Sequence, residues 1–261
     1  MIIELRDVTV RRSGRTILGP LDWAVGEGER WVVLGPNGSG KTTLLSVASM
    51  NLWPTTGTVD VLGERYGRTD ARELRRRVGF AGSATEAAMR PDLTPATLIM
   101  TARHGAYEPW WHVYDDRDRD RARQLGERLG LADHLDQAFG TLSAGERRRT
   151  SIARALMPDP DVLILDEPMA SLDLAAREQL LADLGSLAAE PRLHAIVLVS
   201  HHLEEIPLGF GHALVLRDGR AVAAGPSASV LCDDVLGEAF GMPLRVEAHD
   251  GRWMARMRGR P

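Results

Sequence analysis

The run Gly35-Pro36-Asn37-Gly38-Ser39-Gly40-Lys41-Thr42-Thr43 fits G-x-x-x-x-G-K-[ST]. Those residue types at that spacing build an anion trap. Glycines accept positive φ, so successive backbone N–H groups turn inward on a phosphate. Lys41 would reach the β- and γ-phosphates of a nucleotide, and the Thr42 hydroxyl would ligate Mg²⁺. A second stretch, Asp166-Glu167, closes the apolar run Val162–Leu165. Two carboxylates at the end of a buried strand are costly unless something uses them. Downstream of a phosphate loop, Asp166 reads as the Mg²⁺ ligand. Adjacent residues of a strand point to opposite faces, so Glu167 reads as a base toward a water attacking the γ-phosphate. In a third stretch, Leu142-Ser143-Ala144-Gly145-Glu146, Ser143 with Glu146 three residues on is a capping box. The free helix donors beside such a cap would also take a phosphate.

These residues need a scaffold, and the chain spells one. Trp31–Leu34 reads as a buried strand ahead of the glycine loop, and Thr42–Met50 as the helix after it. Ile2–Val10 and Thr16–Val25 alternate around Ser13-Gly14, an antiparallel pair. Thr58–Leu62 and Val78–Ala81 read as strands, with a short charged helix over Asp70–Arg77. From Glu86 to Gly140 the β-branched residues thin out and a mainly helical insertion is expected, with Asp115–Arg121 as a solvated helix start. Tyr107, Trp110, Trp111 and Tyr114 read either as core or as a partner surface. Ser143–Met157 reads as a helix, Val162–Asp166 as a buried parallel strand, Leu174–Ala189 as a helix and Ala195–Val199 as a second buried strand. Two hairpins turn at Asp218-Gly219 and Asp250-Gly251, flanking a helical stretch over Ser227–Phe240. Strands alternating with helices predict a parallel α/β sheet.

Composition narrows the partners. A net charge of −4 argues against bulk nucleic-acid binding. One cysteine, Cys232, excludes an internal disulfide; it reads as a small apolar filler in a helix. No apolar run approaches the roughly 20 residues that span a bilayer, and no signal peptide is visible, so another chain is expected to supply any membrane span.

The three stretches, in this order, resemble the ATP-binding-cassette (ABC) ATPases. Gly35–Thr43 corresponds to Walker A, Leu142–Glu146 to the signature motif and Val162–Glu167 to Walker B. Ser171-Leu172-Asp173 is similar to the D-loop, and His201 after Val199-Ser200 to the switch histidine. The resemblance implies an α/β P-loop NTPase core with a parallel sheet, an N-terminal antiparallel β subdomain and an α-helical subdomain inserted at about 84–154. It covers residues 1–240 and leaves 241–261 as a C-terminal β-hairpin extension. It also implies a homodimer on ATP binding. Walker A of one copy and the signature of the other close on one ATP, with Ser143 and Gly145 reaching the γ-phosphate in trans. His201 would contact it in cis and Asp173 would couple the two sites.

Two positions depart from the family pattern. Where an aromatic residue stacks on adenine the chain has Arg12, whose guanidinium can stack on a base instead. Where the family has a glutamine touching Mg²⁺ and the water, the chain has Ser83, with one short hydroxyl. Two functions follow. The first is the ATP-hydrolysing, Mg²⁺-dependent subunit of a transporter, working through a separate integral membrane permease at the inner face of the plasma membrane. Its tail, Phe240-Gly241-Met242-Pro243-Leu244, is similar to the metal-chelate and siderophore uptake branch. The second is a soluble ABC ATPase acting on a cytoplasmic partner, which Ser83 favours.

Overall fold

The structure, a computed structural model, describes residues 1–258. Its first two strands, β1 (Ile3–Arg12) and β2 (Arg15–Val25), pair antiparallel across the Ser13-Gly14 turn. β4 (Thr56–Val61) and the two-residue β5 (Glu64–Arg65) complete a four-stranded antiparallel sheet of order β2-β1-β4-β5. Between them the chain enters β3 (Glu29–Leu34), the loop 35–40, and α1 (Lys41–Ala48).

The second sheet carries the molecule. α2 (Ala71–Arg76) leads into β6 (Val78–Ala81), and later come β7 (Val162–Asp166), α7 (Leu174–Ala188), β8 (Ala195–Val199), β9 (His212–Arg217) and β10 (Arg220–Pro226). The order is β10-β9-β3-β8-β7-β6, with every pairing parallel except β9 with β10. The central strands carry apolar runs, Trp31–Leu34, Val162–Leu165 and Ala195–Val199, because both faces are covered. Ile164, Val197 and Val199 pack toward α1 and the antiparallel sheet. Their neighbours Leu163, Leu165, Ile196 and Leu198 pack on the other face, among helix residues such as Leu180, Leu184 and Ile152. The two-residue period of a strand thus divides one run of side chains between two cores.

Between β6 and β7 the chain is helical: α3 (Ser83–Ala87), α4 (Pro95–Thr101), α5 (Asp116–Arg128) and α6 (Ala144–Leu156). α5 begins where its charges predicted, with Asp115 and Asp118 closing a capping box. α6 begins with the Ser143–Glu146 box, Ser143 N–H donating to Glu146 at 2.8 Å and Glu146 N–H to Ser143 at 3.3 Å. The aromatic run divides. Tyr114 is buried, whereas Trp110 and Trp111 are 58% and 80% exposed. Tyr107 lies half-buried under the Arg154 guanidinium, 4.3 Å from the ring centre.

After β10 the expected single helix is two, α8 (Ser227–Val230) and α9 (Asp233–Phe240). Leu231 leaves helical geometry with ψ 73 and Cys232 is extended, as the residue preceding α9. Cys232 is therefore a half-buried helix-entry residue, not filler inside a helix. β11 (Leu244–His249) and β12 (Arg252–Met257) form the last hairpin, with Trp253 and Ala255 packed against the larger core.

Candidate functional site

Parallel strands deliver their C-terminal ends to one edge of the sheet, and ligands of open α/β sheets bind there. At that edge β3 runs into the glycine loop, β7 into Asp166-Glu167 and β8 into Ser200-His201. The pairs Val33↔Val199 and Asp166↔Val199 put the three strand ends level.

Two glycines of the loop are compulsory. At Gly35 (φ 148) a Cβ would stand 2.2 Å from the Leu216 carbonyl oxygen. Gly40 (φ 100) is the left-handed residue from which α1 starts, in a conformation L side chains rarely adopt. The loop also has a seat. Gly219 N–H donates to the Ser39 carbonyl at 3.1 Å, and Gly19 N–H to the Gly219 carbonyl at 2.6 Å. The β9–β10 turn is thereby wedged between the loop and the antiparallel sheet.

Lys41 is buried, and its ammonium donates to the loop's own carbonyls, Gly35 at 2.8 Å and Pro36 at 3.0 Å. Burial lowers its pKa, opposed by the charges of Glu167 and Asp166. Asp166 is pushed up from the ordinary carboxylate range, first by burial and then by Glu167, with the Thr42 hydroxyl and Lys41 pulling the other way. Glu167 does not continue the strand. It is in the left-handed region (φ 50), and its N–H donates to the Val199 carbonyl at 3.1 Å. Its direction is therefore set by this backbone turn rather than by strand alternation. A non-glycine residue held there is a feature that accumulates at functional sites. Its carboxylate Oε1 lies 3.4 Å from His201 Nδ1.

Two buried polar atoms here, Ser39 Oγ and Asp166 Oδ1, make no hydrogen bond among the described residues, and His201 Nδ1 has only the Glu167 carboxylate at 3.4 Å. Buried polar groups are almost always satisfied, so orphans on a phosphate loop and the adjoining strand ends fit a bound nucleotide. Among the described residues no cluster of three or more acidic, histidine or cysteine side chains is placed to hold a metal. Thr42 and the unpaired Asp166 Oδ1 both face one cleft and offer the oxygen ligands that Mg²⁺ takes alongside phosphate oxygens and water.

Thr42, Ser83 and Asp166 line one cleft of about 680 Å³, walled on its other sides by Arg72, Arg75, Tyr107 and Arg154. Ser83 is the exposed first residue of α3. Ser143 and Gly145 do not line this cleft. A Cβ on Gly145 would meet Leu172 and Ala176 at 3.7 and 3.3 Å, so the signature stretch abuts the D-loop stretch of its own chain. Asp173 caps α7 there, accepting from Ala176 N–H at 2.8 Å. Arg12 lies at the exposed tip of β1 opposite Arg15, outside the cleft.

Two pairs escape a reading of the sequence. Arg148 of α6 meets Glu86 of α3 at 2.7 Å, with side chains only 9% and 19% exposed. Burial pushes Glu86 up, with Arg148 pulling it back. Ser200, fully buried, bonds the buried Glu205 carboxylate and accepts His202 N–H at 2.9 Å, knotting the turn that carries His201. Neither pair has a spacing signature that would single it out.

The family model described as "ABC transporter" matches residues 18–170. The uncharacterized ABC transporter ATP-binding protein YlmA of Bacillus subtilis is 38% identical over 250 residues, covering 94% of this chain and 93% of its own. The phosphonates import ATP-binding protein PhnC 1 of Rhodopseudomonas palustris is 34% identical over 236 residues, covering 88% and 83%. Among solved structures, a dimeric bacterial ABC transporter cassette superposes with a TM-score of 0.75 at 25% identity, over 86% of this chain and 98% of its own. A second, provisionally assigned as a metal-chelate type ABC transporter in an inward-facing conformation, gives 0.78 at 21% identity, over 98% and 96%. With a phosphate loop, acidic strand end and capped signature helix in the family's order, this chain belongs to the ABC transporter family as an ATP-binding subunit.

Proposed function

We propose that the chain binds and hydrolyses Mg²⁺-ATP as the energising subunit of a transporter, two copies clamping on ATP and driving a separate integral membrane permease. The observation that carries the hydrolysis is the convergence of Lys41, Thr42, Asp166, Glu167 and His201 on the ends of three adjacent strands. In this reading Gly35–Thr43 cradle the phosphates and Lys41 moves from the loop carbonyls to the β- and γ-phosphates. Thr42 and Asp166 would hold Mg²⁺, which would neutralise charge on the phosphates. Glu167 orients and deprotonates the attacking water, and His201, 3.4 Å away, contacts the γ-phosphate. Gly145 packs beside the D-loop stretch of its own chain, and the family resemblance supports Ser143 and Gly145 acting on the partner copy's nucleotide, with Asp173 at the junction. Arg12 stacks on the base and Ser83 reaches the metal through water.

The membrane partner is supported by the family and by the cleft beside Ser83, an arginine- and tyrosine-walled socket of a size that admits a segment of another chain. No helix among the described residues is long and apolar enough to cross a membrane; the peripheral place of action at the inner face of the plasma membrane belongs to the transporter reading. For cargo, the phosphonates import relative supports import, and import of a metal chelate is proposed from the tail Phe240–Leu244. The soluble ATPase without a membrane subunit is the second reading, favoured by the serine at position 83.

Phosphate release from Mg²⁺-ATP tests the hydrolysis. Glu167→Gln should lower kcat by roughly 10²-fold or more and trap an ATP-bound dimer in size-exclusion chromatography. Undiminished turnover in that variant, or a monomer with nucleotide bound, defeats the proposal.

A further inference from the structure

β12 packs against the short 3₁₀ turn Leu203–Glu205, two residues past His201. Arg252, the first residue of β12, makes two kinds of contact at once. Its guanidinium forks onto the Glu178 carboxylate of α7, with the longer arm at 3.2 Å, and donates to the Glu204 carbonyl at 2.8 Å. α7 is the helix that Asp173 caps. One side chain therefore bridges the helix after the D-loop stretch and the turn after the switch histidine. The hairpin holding it is itself anchored. Trp253 and Ala255 pack on the larger core, Asp233 accepts Val246 N–H at 2.6 Å, and the Gly251 turn lies close against Leu208.

As a source of stability this ion pair is weak. Arg252 and Glu178 are 36% and 41% exposed, and exposed pairs contribute little. As a spacer it is well built. A planar guanidinium fixes two acceptors relative to each other in a way an ammonium does not. The turn it grips is stiffened by the Ser200–Glu205 bond, so a displacement at Glu204 is passed to His201 rather than absorbed.

We propose that Arg252 is a positioning residue for ATP hydrolysis, setting the distance between the Asp173 helix and the His201 turn through the C-terminal hairpin. This rests on the ATPase reading above. The test is steady-state phosphate release, nucleotide affinity and thermal melting of the full chain and its Arg252→Ala, Arg252→Lys and Glu178→Gln variants. For Arg252→Ala, kcat should fall roughly tenfold, as expected from a small misplacement of reacting groups. KM for Mg²⁺-ATP should stay within about twofold and Tm within about 2 °C. Arg252→Lys should recover part of the loss. Glu178→Gln, which keeps the arginine and its bond to the Glu204 carbonyl, should lose less.

A kcat within about twofold of the parent in Arg252→Ala overturns the inference, as does a joint collapse of kcat, nucleotide affinity and melting temperature. If Arg252→Ala does not fold, Glu178→Gln decides: a lowered kcat at unchanged melting supports the role, and an unchanged kcat overturns it. A parent chain without turnover would instead defeat the ATPase reading itself.

Discussion

Asp166 is buried beside Glu167, and both conditions raise its pKa. Its folded value therefore lies above the unfolded one. Between those two values the folded state holds the extra proton, so stability falls as pH rises through that window and the deficit persists at neutral pH. Asp166→Asn removes the charge and keeps the shape. In EDTA at neutral pH its melting temperature should exceed the parent's, and the parent's advantage on acidification should disappear from its melting curves. Turnover of Mg²⁺-ATP should fall by at least roughly 10²-fold, because the proposed carboxylate ligand of the metal is lost. Equal melting of the two proteins across that pH range would show that the buried charge is relieved by some other route. Lys41 belongs to the same local economy, an ammonium parked on carbonyls at 2.8 and 3.0 Å until something more negative displaces them.

At the scale of elements, α3 and α6 are joined by the Glu86–Arg148 pair. Removing one partner strands a largely buried charge, whereas replacing both by apolar residues often restores stability. Arg148→Met alone should lose about 2–4 kcal/mol in urea denaturation, and Glu86→Leu with Arg148→Met should recover most of it. A double variant as unstable as the sum of the singles would count against the pair. This pair also marks where the sequence stopped being readable. That Lys41, Thr42, Asp166 and Glu167 sit at the ends of sheet strands was legible because each follows a short apolar run. The helix starts at Asp115 and Ser143 were legible from residues close in sequence. Glu86 and Arg148 are 62 positions apart, and Glu178 and Arg252 are 74 apart. Charges are common enough that nothing local picks out such pairings. The break at Leu231-Cys232 was hidden too, since neither glycine nor proline announces it. Glu167 was placed on an alternating strand because the sequence carries no sign that the strand ends one residue earlier.

For the whole molecule, the proposed sharing of a site between copies makes a prediction that no single protomer can mimic. Lys41→Ala disables a phosphate loop, and Ser143→Arg disables a signature helix proposed to serve the partner's nucleotide. Each variant alone should be inactive. Mixed in equal amounts they should recover roughly a quarter of parental turnover, because half the dimers pair unlike chains and each of those holds one intact site. No recovery on mixing would place the whole site within one chain. The sheet makes such an arrangement workable, since β3, β7 and β8 are buried on both faces and hold the strand ends rigidly level.

The seat of the phosphate loop on Gly219, with Gly219 in turn held by Gly19, has a wider meaning. The antiparallel sheet and the parallel sheet share no strand, and this turn is one place where the loop is held against both. A slippage along that seam would reach the triphosphate cradle before it reached either hydrophobic interior. Loosened grip on nucleotide, in a protein still fully folded, would be the first symptom of damage there.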